Sequence, residues 1–203
     1  MNPLLKSLQP YPFQKLSYLL EGINANVSLS PINLHIGEPK HETPAFILTE
    51  LAKNLNSVAN YPTTLGSKWL RTTIATWLTQ RYQLPAIDPE TEITVTCGST
   101  EGMIAAMMAT VDEGEEVIVF EPFYENYAPD AILSDATPRH VPLYRTDNGF
   151  VFDREELRAA FNERTKAIII CNPNNPTGKV FTKDELEFIA DLCKEFDALC
   201  FTD

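Results

Sequence analysis

The stretch Asn172-Pro173-Asn174-Asn175-Pro176-Thr177-Gly178 follows directly on an apolar run from Thr165 to Cys171. That run is too short for a helix and rich in β-branched residues, which predicts a strand buried on both faces. Two prolines and a glycine oppose both sheet pairing and helix, and asparagine tolerates unusual backbone angles. We therefore expect a polar loop at the carboxyl end of a central strand, where open α/β sheets bind ligands. The alternative is an ordinary loop between a strand and a helix.

The composition indicates a globular protein and argues against two classes of partner. The 203 residues are 44% apolar, which is enough for a hydrophobic core. Sixteen basic residues against 28 acidic ones give a net charge of −12 without a basic cluster, so nucleic acid is not an expected partner. No stretch is long and apolar enough to span a membrane, and residues 1–6 lack the apolar core of a signal peptide. We expect a cytoplasmic protein.

The cysteines and histidines predict no metal site. The cysteines lack the paired spacings of a zinc site and two of them fall inside predicted strands, so buried free thiols are expected. The histidines are scattered and form neither a catalytic triad nor a metal cluster. These residues are Cys97, Cys171, Cys193, Cys200, His35, His41 and His140.

The first part of the chain has a weaker pattern than the rest. Residues 1–34 are expected to form an N-terminal arm or part of a small domain. Apolar residues at helical spacing predict an amphipathic helix from Lys68 to Arg81, with Trp69 and Trp77 in the core. The other elements predicted here are a helix from Phe13 to Leu20, a strand over Ile32–Ile36, and a helix from Pro44 to Leu55 capped by Thr43.

From residue 92 onward the predicted strands and helices alternate, which is the order of an α/β fold. Capping boxes are predicted at Asp153 with Glu156 and at Thr182 with Glu185. The predicted strands are Ile93–Cys97, Glu116–Phe120, Thr137–Leu143, Ala167–Cys171 and Leu199–Thr202. The predicted helices are Ser99–Thr110, Tyr124–Ser134, Asp153–Phe161 and Lys183–Phe196.

The segment Cys97-Gly98-Ser99-Thr100-Glu101 joins a predicted strand to a predicted helix. The backbone N–H groups of Ser99 and Thr100 would then point out of a helix N-terminus, which is a place that binds phosphate. Gly98 lets the backbone approach a ligand closely, and the two hydroxyls add donors. The alternative is that a hydroxyl merely caps the helix. Glu101 suits the helix dipole but would repel an anion if its carboxylate turned inward.

Two further strand ends carry side chains that suit a flat, cationic ligand. The segment from Glu121 to Tyr127 follows one strand and supplies aromatic rings, for which core packing is the alternative. The apolar strand from Ala198 ends on Asp203, and a buried carboxylate there needs a cationic or hydrogen-bonding partner, such as a protonated ring nitrogen. A helix N-terminus that can bind phosphate, aromatic rings that can stack on a flat ligand, an asparagine amide and a carboxylate together resemble a pyridoxal 5′-phosphate site.

With these motifs in this order, the whole chain resembles the class I/II aminotransferases of the aspartate aminotransferase fold type. The resemblance implies an α/β fold of three layers (α/β/α) with a mostly parallel sheet, preceded by the N-terminal arm. Residues 35–203 would be the amino-terminal portion of the large cofactor-binding domain, and the C-terminal part of the family fold is absent. The motifs that carry the resemblance are Ile36–Pro39, Tyr61–Arg71, Gly98–Thr100, Pro122–Tyr124 with Tyr127, Asn172–Gly178 and Asp203.

The resemblance also implies which residues bind pyridoxal 5′-phosphate. Gly98, Ser99 and Thr100 would hold its phosphate, and Phe123 would stack on its pyridine ring. Asn175 would bond the phenolic oxygen of the ring. Asp203 would pair with the pyridinium N–H and keep it protonated, which makes the ring an electron sink.

Substrate and subunit contacts are implied in the same way. Gly37 and Asn175 would border the pocket for the substrate carboxylate. Tyr61 would reach the cofactor phosphate of a neighbouring subunit, which requires a homodimer. We also expect the Asn175–Pro176 peptide bond to be cis, because the loop must turn a side chain back over its own strand and the resemblance points the same way.

The chain departs from the family in its catalytic base. The family's Schiff-base lysine lies beyond the position of Asp203, and the chain has no lysine in a matching motif. Lys179 and Lys183 follow the asparagine loop but match no family lysine, so we assign no catalytic residue. The chain is expected to be an amino-terminal fragment that does not catalyse the reaction alone.

Two parts of the chain resemble different branches of the family. Residues 1–88 look like succinyldiaminopimelate aminotransferases, and residues 93–203 look like broad-specificity aminotransferases of archaeal and kynurenine or glutamine type. The implied activity is transfer of an amino group between an amino acid and a 2-oxo acid, with succinyldiaminopimelate of the lysine pathway as one candidate substrate. The alternatives are a lyase or synthase of the same fold, and a non-catalytic fragment.

Overall fold

The computed structural model describes residues 3–6, 8, 10–30, 32, 34 and 36–203, and the backbone alone of residue 4. The chain divides into two compact units. One unit combines Met1–Leu19 with Cys97–Asp203, and the other is Leu20–Thr96. The assignment of residues 1–34 to an arm stays a prediction.

The unit that contains Cys97–Asp203 is built on a parallel sheet. Its four strands lie in the order β2-β1-β5-β6, and all three pairings are parallel. A separate antiparallel hairpin pairs β3 with β4. This confirms the predicted α/β class with a mostly parallel sheet. The strands are β1 (Glu116–Glu121), β2 (Thr137–Pro142), β3 (Tyr144–Thr146), β4 (Gly149–Val151), β5 (Thr165–Ile170) and β6 (Leu199–Thr202).

Helices cover both faces of this sheet. The α-helices of the described chain are α1 (Pro12–Leu20), α2 (Ala45–Asn54), α3 (Lys68–Tyr82), α4 (Ser99–Thr110), α5 (Tyr127–Leu133), α6 (Arg154–Ala160) and α7 (Lys183–Phe196), with 3-10 turns at Pro3–Lys6 and Leu55–Ala59. Ile118 and Ile168 point to the face covered by α6 and α7, whereas Val117 and Ile169 point to the face covered by α4 and α5. Because both faces of the central strands β1 and β5 are buried, these two strands are nearly continuous apolar runs. The three-layer arrangement is confirmed.

The two predicted capping boxes have different outcomes. At the start of α7, Thr182 and Glu185 bond each other's backbone N–H groups, which confirms the predicted box. At the start of α6, the Asp153 carboxylate accepts from the backbone of Glu155 and Glu156. The carboxylate of Glu156 instead accepts the hydroxyl of Tyr144 at 2.9 Å, so this box is formed on one side only.

The unit Leu20–Thr96 places Arg71 at its centre. The buried Arg71 guanidinium donates to Gly66 O at 3.3 Å and to Glu90 at 3.1 Å, and it also contacts Pro89 O. Gly66 has φ +87°, and a Cβ there would lie 2.6 Å from the Val95 side chain. Gly66 and Arg71 belong to the motif Tyr61–Arg71, which carries part of the family resemblance, and both therefore have a structural role in this unit.

Both tryptophans of α3 lie on its exposed side, which corrects the prediction that they are core residues. Trp69 is 76% exposed and Trp77 is 55% exposed. The residues that α3 buries are Arg71 and Ala75, which occupy a different stripe of the helix. Helical spacing identified an apolar stripe correctly but did not indicate which stripe is covered within the described chain.

Several predicted boundaries also need correction. Ile93–Cys97 is not a strand: Val95 N donates to Leu65 O, but no ladder forms among the described residues. Helix α2 begins at Ala45 with Pro44 as N-cap, so Thr43 does not cap it. Residues 33 and 35 of the predicted strand Ile32–Ile36 lie outside the described residues. The other three positions, 32, 34 and 36, belong to no strand.

Candidate active site

The loop 172–178 ties the carboxyl ends of two strands together. Asn172 N donates to Asp203 O at 3.0 Å, and Asp203 N donates to Ile170 O at 2.9 Å. The side chain of Asn172 accepts the backbone N–H of Phe181 at 3.1 Å. The loop is therefore anchored to β5 and β6, as expected for a site at the end of a parallel sheet.

The buried Asn174 connects this loop to the end of β1. Its amide donates to Pro122 O at 3.3 Å and to the Thr177 hydroxyl at 2.8 Å. Its backbone carbonyl accepts from Gly178 N at 2.7 Å. Asn174 is 5% exposed, so these bonds satisfy a buried polar side chain. Its role is to shape the loop.

Asn175, in contrast, is exposed and its side-chain amide has no hydrogen bond within the described chain. Its backbone N–H donates to the Cys171 sulfur at 3.3 Å, which fixes the residue above the end of β5. The Asn175–Pro176 peptide bond is cis, as predicted, and Glu121–Pro122 and Asn172–Pro173 are cis as well. The amide predicted to contact a ligand is thus the one that the loop leaves available.

Asp203 lies just beyond β6, where the Tyr127 hydroxyl donates to its Oδ2 at 2.6 Å. Burial of Tyr127, followed by this hydrogen bond, raises the pKa of the phenol, so the hydroxyl remains a donor. Asp203 was expected to be buried, but it is exposed. The partner of the carboxylate within the chain is a neutral phenol that leaves room for a cationic ligand.

Helix α4 begins at Ser99 with Gly98 as its N-cap at φ +86°, so neither Ser99 nor Thr100 occupies the cap position. A Cβ on Gly98 would meet no atom within 4 Å, which leaves the backbone open to a close ligand. The Thr100 hydroxyl accepts from the Asn126 amide at 3.0 Å, which places the helix start beside the loop after β1. The Glu101 carboxylate accepts from Cys97 N. Neither hydroxyl therefore caps the helix, and phosphate binding at Gly98, Ser99 and Thr100 stays a prediction.

The two neighbouring aromatic rings after β1, those of Phe123 and Tyr124, contact different parts of the structure. The Phe123 ring lies 5.3 Å from the His140 ring, which belongs to β2. The Tyr124 ring lies 5.7 Å from the ring of Tyr127, the donor to Asp203. Tyr124 therefore contacts the residue that donates to Asp203, whereas Phe123 contacts β2.

Three contacts of this site were not foreseen from the sequence: Asn126 with Thr100, Asn174 with Pro122, and Tyr127 with Asp203. The last pair is separated by 76 residues. A tyrosine in an aromatic segment has a polar tip that needs a partner when buried, and this was the available signal.

The two remaining predicted residues belong to the other unit. Tyr61 is fully exposed, and a Cβ on Gly37 would meet no atom within 4 Å. Their roles at a substrate carboxylate and at a neighbouring subunit remain proposals.

The lysines of Cys97–Asp203 are engaged in ion pairs. Lys179 is buried, bonds Glu185 at 2.8 Å and Phe150 O at 3.0 Å, and lies 4.9 Å from the Phe181 ring centroid. Lys183 pairs with Glu187 at 3.5 Å. Lys166 and Lys194 pair with Glu115 and Asp191. These contacts agree with assigning the role of base to none of them.

In the described chain, no group of three His, Cys, Asp or Glu side chains could hold a metal ion; His35 lies outside the described residues. No described helix is long and apolar enough to cross a membrane.

Comparisons with known proteins show the family of the chain. The family model for aminotransferase class I and II matches residues 30–203. The chain is 34% identical over 203 residues to human "Kynurenine--oxoglutarate transaminase 3", covering 91% of this chain and 44% of the relative. It is 36% identical over 200 residues to "Probable N-succinyldiaminopimelate aminotransferase DapC" of Mycobacterium tuberculosis, covering 97% and 49%.

A solved structure shows the same fold. The N-succinyldiaminopimelate aminotransferase of Mycobacterium tuberculosis superposes with a TM-score of 0.88 at 33% identity, covering all of this chain and 51% of that one. The chain spans about half the length of the curated relatives it matches. Both branches expected from the sequence appear among these relatives. The chain therefore belongs to the class I and II aminotransferases, a pyridoxal-phosphate-dependent family.

Proposed function

We propose that this chain binds pyridoxal 5′-phosphate at the carboxyl edge of its sheet and forms the amino-terminal half of an aminotransferase. The observation that carries the proposal is that Asp203, held by Tyr127, and the exposed amide of Asn175 follow the carboxyl ends of the neighbouring strands β6 and β5. The reaction would move an amino group between an amino acid and a 2-oxo acid. Succinyldiaminopimelate is a candidate substrate through the similarity to DapC.

The donors and acceptors present fit this cofactor. Its phosphate is an anion, and the start of α4 offers backbone N–H groups and hydroxyls at Ser99 and Thr100. Its ring nitrogen needs an acidic partner, and Asp203 is a carboxylate with room beside Tyr127. Its phenolic oxygen accepts hydrogen bonds, and the Asn175 amide can donate one.

When bound, pyridoxal 5′-phosphate supplies an electron sink for the carbanion at the substrate α-carbon. The carboxylate of Asp203 would keep the ring nitrogen protonated. The Tyr127 hydroxyl would orient that carboxylate, and Asn175 would fix the rotation of the ring in its own plane. Phe123, and Tyr124 as a second candidate, would stack against the ring. None of these residues is assigned the removal of the substrate α-proton, and we propose that the base belongs to the part of the relatives that this chain does not span.

Further roles are proposed from the family. Gly37 and Asn175 would border the substrate carboxylate pocket, and Tyr61 would reach the cofactor phosphate of a second subunit in a homodimer. A cytoplasmic location suits a metabolic enzyme with this chemistry. Each of these roles depends on the cofactor site, so cofactor binding is tested first.

The test uses pyridoxine 5′-phosphate, because it lacks the aldehyde and cannot react with surface lysines. Calorimetric titration should give saturable binding that unphosphorylated pyridoxine does not match. Asn175→Ala should weaken binding by about 5- to 10-fold, the loss of one hydrogen bond. The matched control is Asn148→Ala, in the turn of the β3–β4 hairpin, which should bind like the parent chain. Equal affinity for both probes, or equal effects of the two substitutions, would refute the site.

A further inference from the structure

Cys193 of α7 and Cys200 of β6 lie next to each other across a helix-to-strand turn. Cys200 pairs in register with Ile168 of β5, and side chains in register on parallel strands point to the same face. Ile168 belongs to the core cluster that contains Ile189 and Leu192 of α7, and Cys193 packs against that cluster. The thiol of Cys200 therefore points toward the helix that carries Cys193.

The turn between the two residues is tight. Asp197 ends α7 at φ +52°, and its backbone N–H bonds Cys193 O. Ala198 N also donates to Cys193 O, at 2.9 Å, immediately before β6 begins. The chain thus reverses direction at Asp197 and Ala198, just after α7 ends. This tight turn brings the end of the helix that carries Cys193 close to the start of the strand that carries Cys200.

The two thiols differ in their chemistry. Cys193 is half-buried, whereas Cys200 is exposed, and both are free. A hydrogen bond between them raises the pKa of Cys193, which burial raises further, and lowers the pKa of Cys200. Because Cys200 is the exposed thiol, an oxidant in solution reaches it first, which makes Cys200 the reactive member and the half-buried Cys193 the resolving one.

We propose that Cys193 and Cys200 form a peroxide-oxidisable dithiol, a modification site separate from the residues assigned to the cofactor. The Cys200 thiolate attacks hydrogen peroxide, the O–O bond breaks, and a sulfenic acid and hydroxide form. The Cys193 sulfur then attacks the sulfenic sulfur and displaces water as its proton leaves. Overall, two thiols and one peroxide give one disulfide and two waters, with both sulfurs oxidised and the peroxide reduced.

Tryptic mass spectrometry after brief treatment with hydrogen peroxide tests this directly. Cleavage after Lys194 separates the two cysteines into a peptide Asp184–Lys194 and a peptide that begins at Glu195. The expected result is a non-reduced, cross-linked pair of these two peptides that appears before Cys97 is modified. Recovery of both peptides unlinked after Cys97 has been oxidised would overturn the proposal.

Cys97 is the matched control, because it is exposed but the hydrogen bond with Glu101 raises its pKa. Cys200 should react with iodoacetamide faster than Cys97, because the pKa of Cys200 is lowered whereas that of Cys97 is raised. In Cys193→Ser, oxidation should stop at a Cys200 sulfenic acid that dimedone traps. In Cys200→Ser, Cys193 should stay reduced. Melting curves check that both variants fold, and equal labelling of Cys97 and Cys200 in folded protein would contradict the assignment.

Discussion

Neighbouring asparagines in the loop 172–178 have opposite environments. Asn174 is buried and its amide bonds Pro122 O and Thr177, whereas the amide of Asn175 is exposed. A buried amide that loses its partners costs folding free energy, and an exposed one does not. The two residues therefore separate a structural role from a ligand-binding role within one motif.

Asn174→Ala should lower the free energy of unfolding by about 1–3 kcal/mol, because the Pro122 carbonyl and the Thr177 hydroxyl lose their buried partner. Asn175→Ala should change it by less than about 0.5 kcal/mol. Urea denaturation followed by circular dichroism measures both. A larger loss for Asn175→Ala would reverse the roles assigned to these two side chains.

Substitution of Phe123 and Tyr124 distinguishes the two candidate stacking rings. Tyr124 contacts Tyr127, which donates to Asp203, whereas Phe123 contacts His140 on β2. We expect Tyr124→Ala to weaken pyridoxine 5′-phosphate binding by about 3- to 10-fold, the value of one aromatic pair. Phe123→Ala should have the smaller effect on the dissociation constant. The opposite ranking in calorimetric titrations of folded variants would return the stacking role to Phe123.

The carboxylate of Asp130 in α5 should make stability depend on pH. Its Oδ2 is buried without a hydrogen bond in the described chain, and burial raises its pKa to about 6. The unfolded chain ionises first, so the free energy of unfolding should fall by up to about 2 kcal/mol as pH rises from 4 to 6. Asp130→Asn should remove this slope, and the exposed turn residue Asp147→Asn should retain it. Urea titrations across this pH range measure how the free energy of unfolding depends on pH. An unchanged slope in Asp130→Asn would contradict the assignment of this dependence to Asp130.

At the scale of elements, the two ends of the sheet have different tasks. The carboxyl ends carry the candidate site, and the amino end of β1 holds a buried ion-pair network. Glu116 accepts from Arg164 Nε at 3.0 Å, from Asn162 at 2.8 Å and from Arg139 at 3.1 Å. Burial opposes ionisation of Glu116, but these hydrogen bonds and charges lower its pKa overall. The network joins β1 to β2 and to the segment before β5.

Glu116→Gln should destabilise the fold by about 1–3 kcal/mol, because Glu116 is buried although its arginine partners are partly exposed. The lowered pKa means that the stabilisation is present above the unfolded pKa near 4.5 and disappears as pH falls through the lower folded value. Glu195→Gln removes an exposed pair with Arg158 and should destabilise the fold much less than Glu116→Gln does. Denaturant curves at pH 7 and pH 3 measure both, and equal losses for the two variants would argue against the network.

At the scale of the whole molecule, much apolar surface is uncovered. Leu199 on β6, Phe46 on α2 and Trp69 on α3 are 40%, 75% and 76% exposed. Exposed apolar surface of this extent is typical of regions that another part of a protein covers. The relatives are about twice as long as this chain. Self-association of the chain, measured by analytical ultracentrifugation, is the expected consequence.

The 203-residue chain should not transaminate, even with pyridoxal 5′-phosphate, an amino acid and a 2-oxo acid supplied. Lys179 is held by Glu185 and Phe150 O, and Lys183 pairs with Glu187, so neither is poised as a base. A chain extended by the portion that its relatives possess should be active. A coupled assay for the oxo acid product measures both. Turnover by the short chain that Lys179→Met abolishes would show that the base was assigned wrongly.

The sequence predictions that depend on interactions between residues close in the chain were accurate, and those that depend on contacts with distant segments were less so. Helices α4 and α7 begin and end at the predicted residues, because caps and periodicity are local signals. The strand predicted at Ile93–Cys97 did not form, because a strand needs a partner that local pattern does not specify. The same reason explains why the tryptophans of α3 are exposed. Periodicity identifies the apolar stripe of a helix, but it does not show which other segment packs against that stripe.

The sequence by itself determined the order of strands and helices, the parallel α/β class, and the loops at the strand ends from which a cofactor site was predicted. These depend on period, turn residues and caps, which act over a few positions. Only the tertiary structure decided that Asn174 is buried and Asn175 free, and that Tyr127 donates to Asp203 across 76 positions. Such contacts arise from the packing of distant segments against one another, and the local sequence carries no record of that packing.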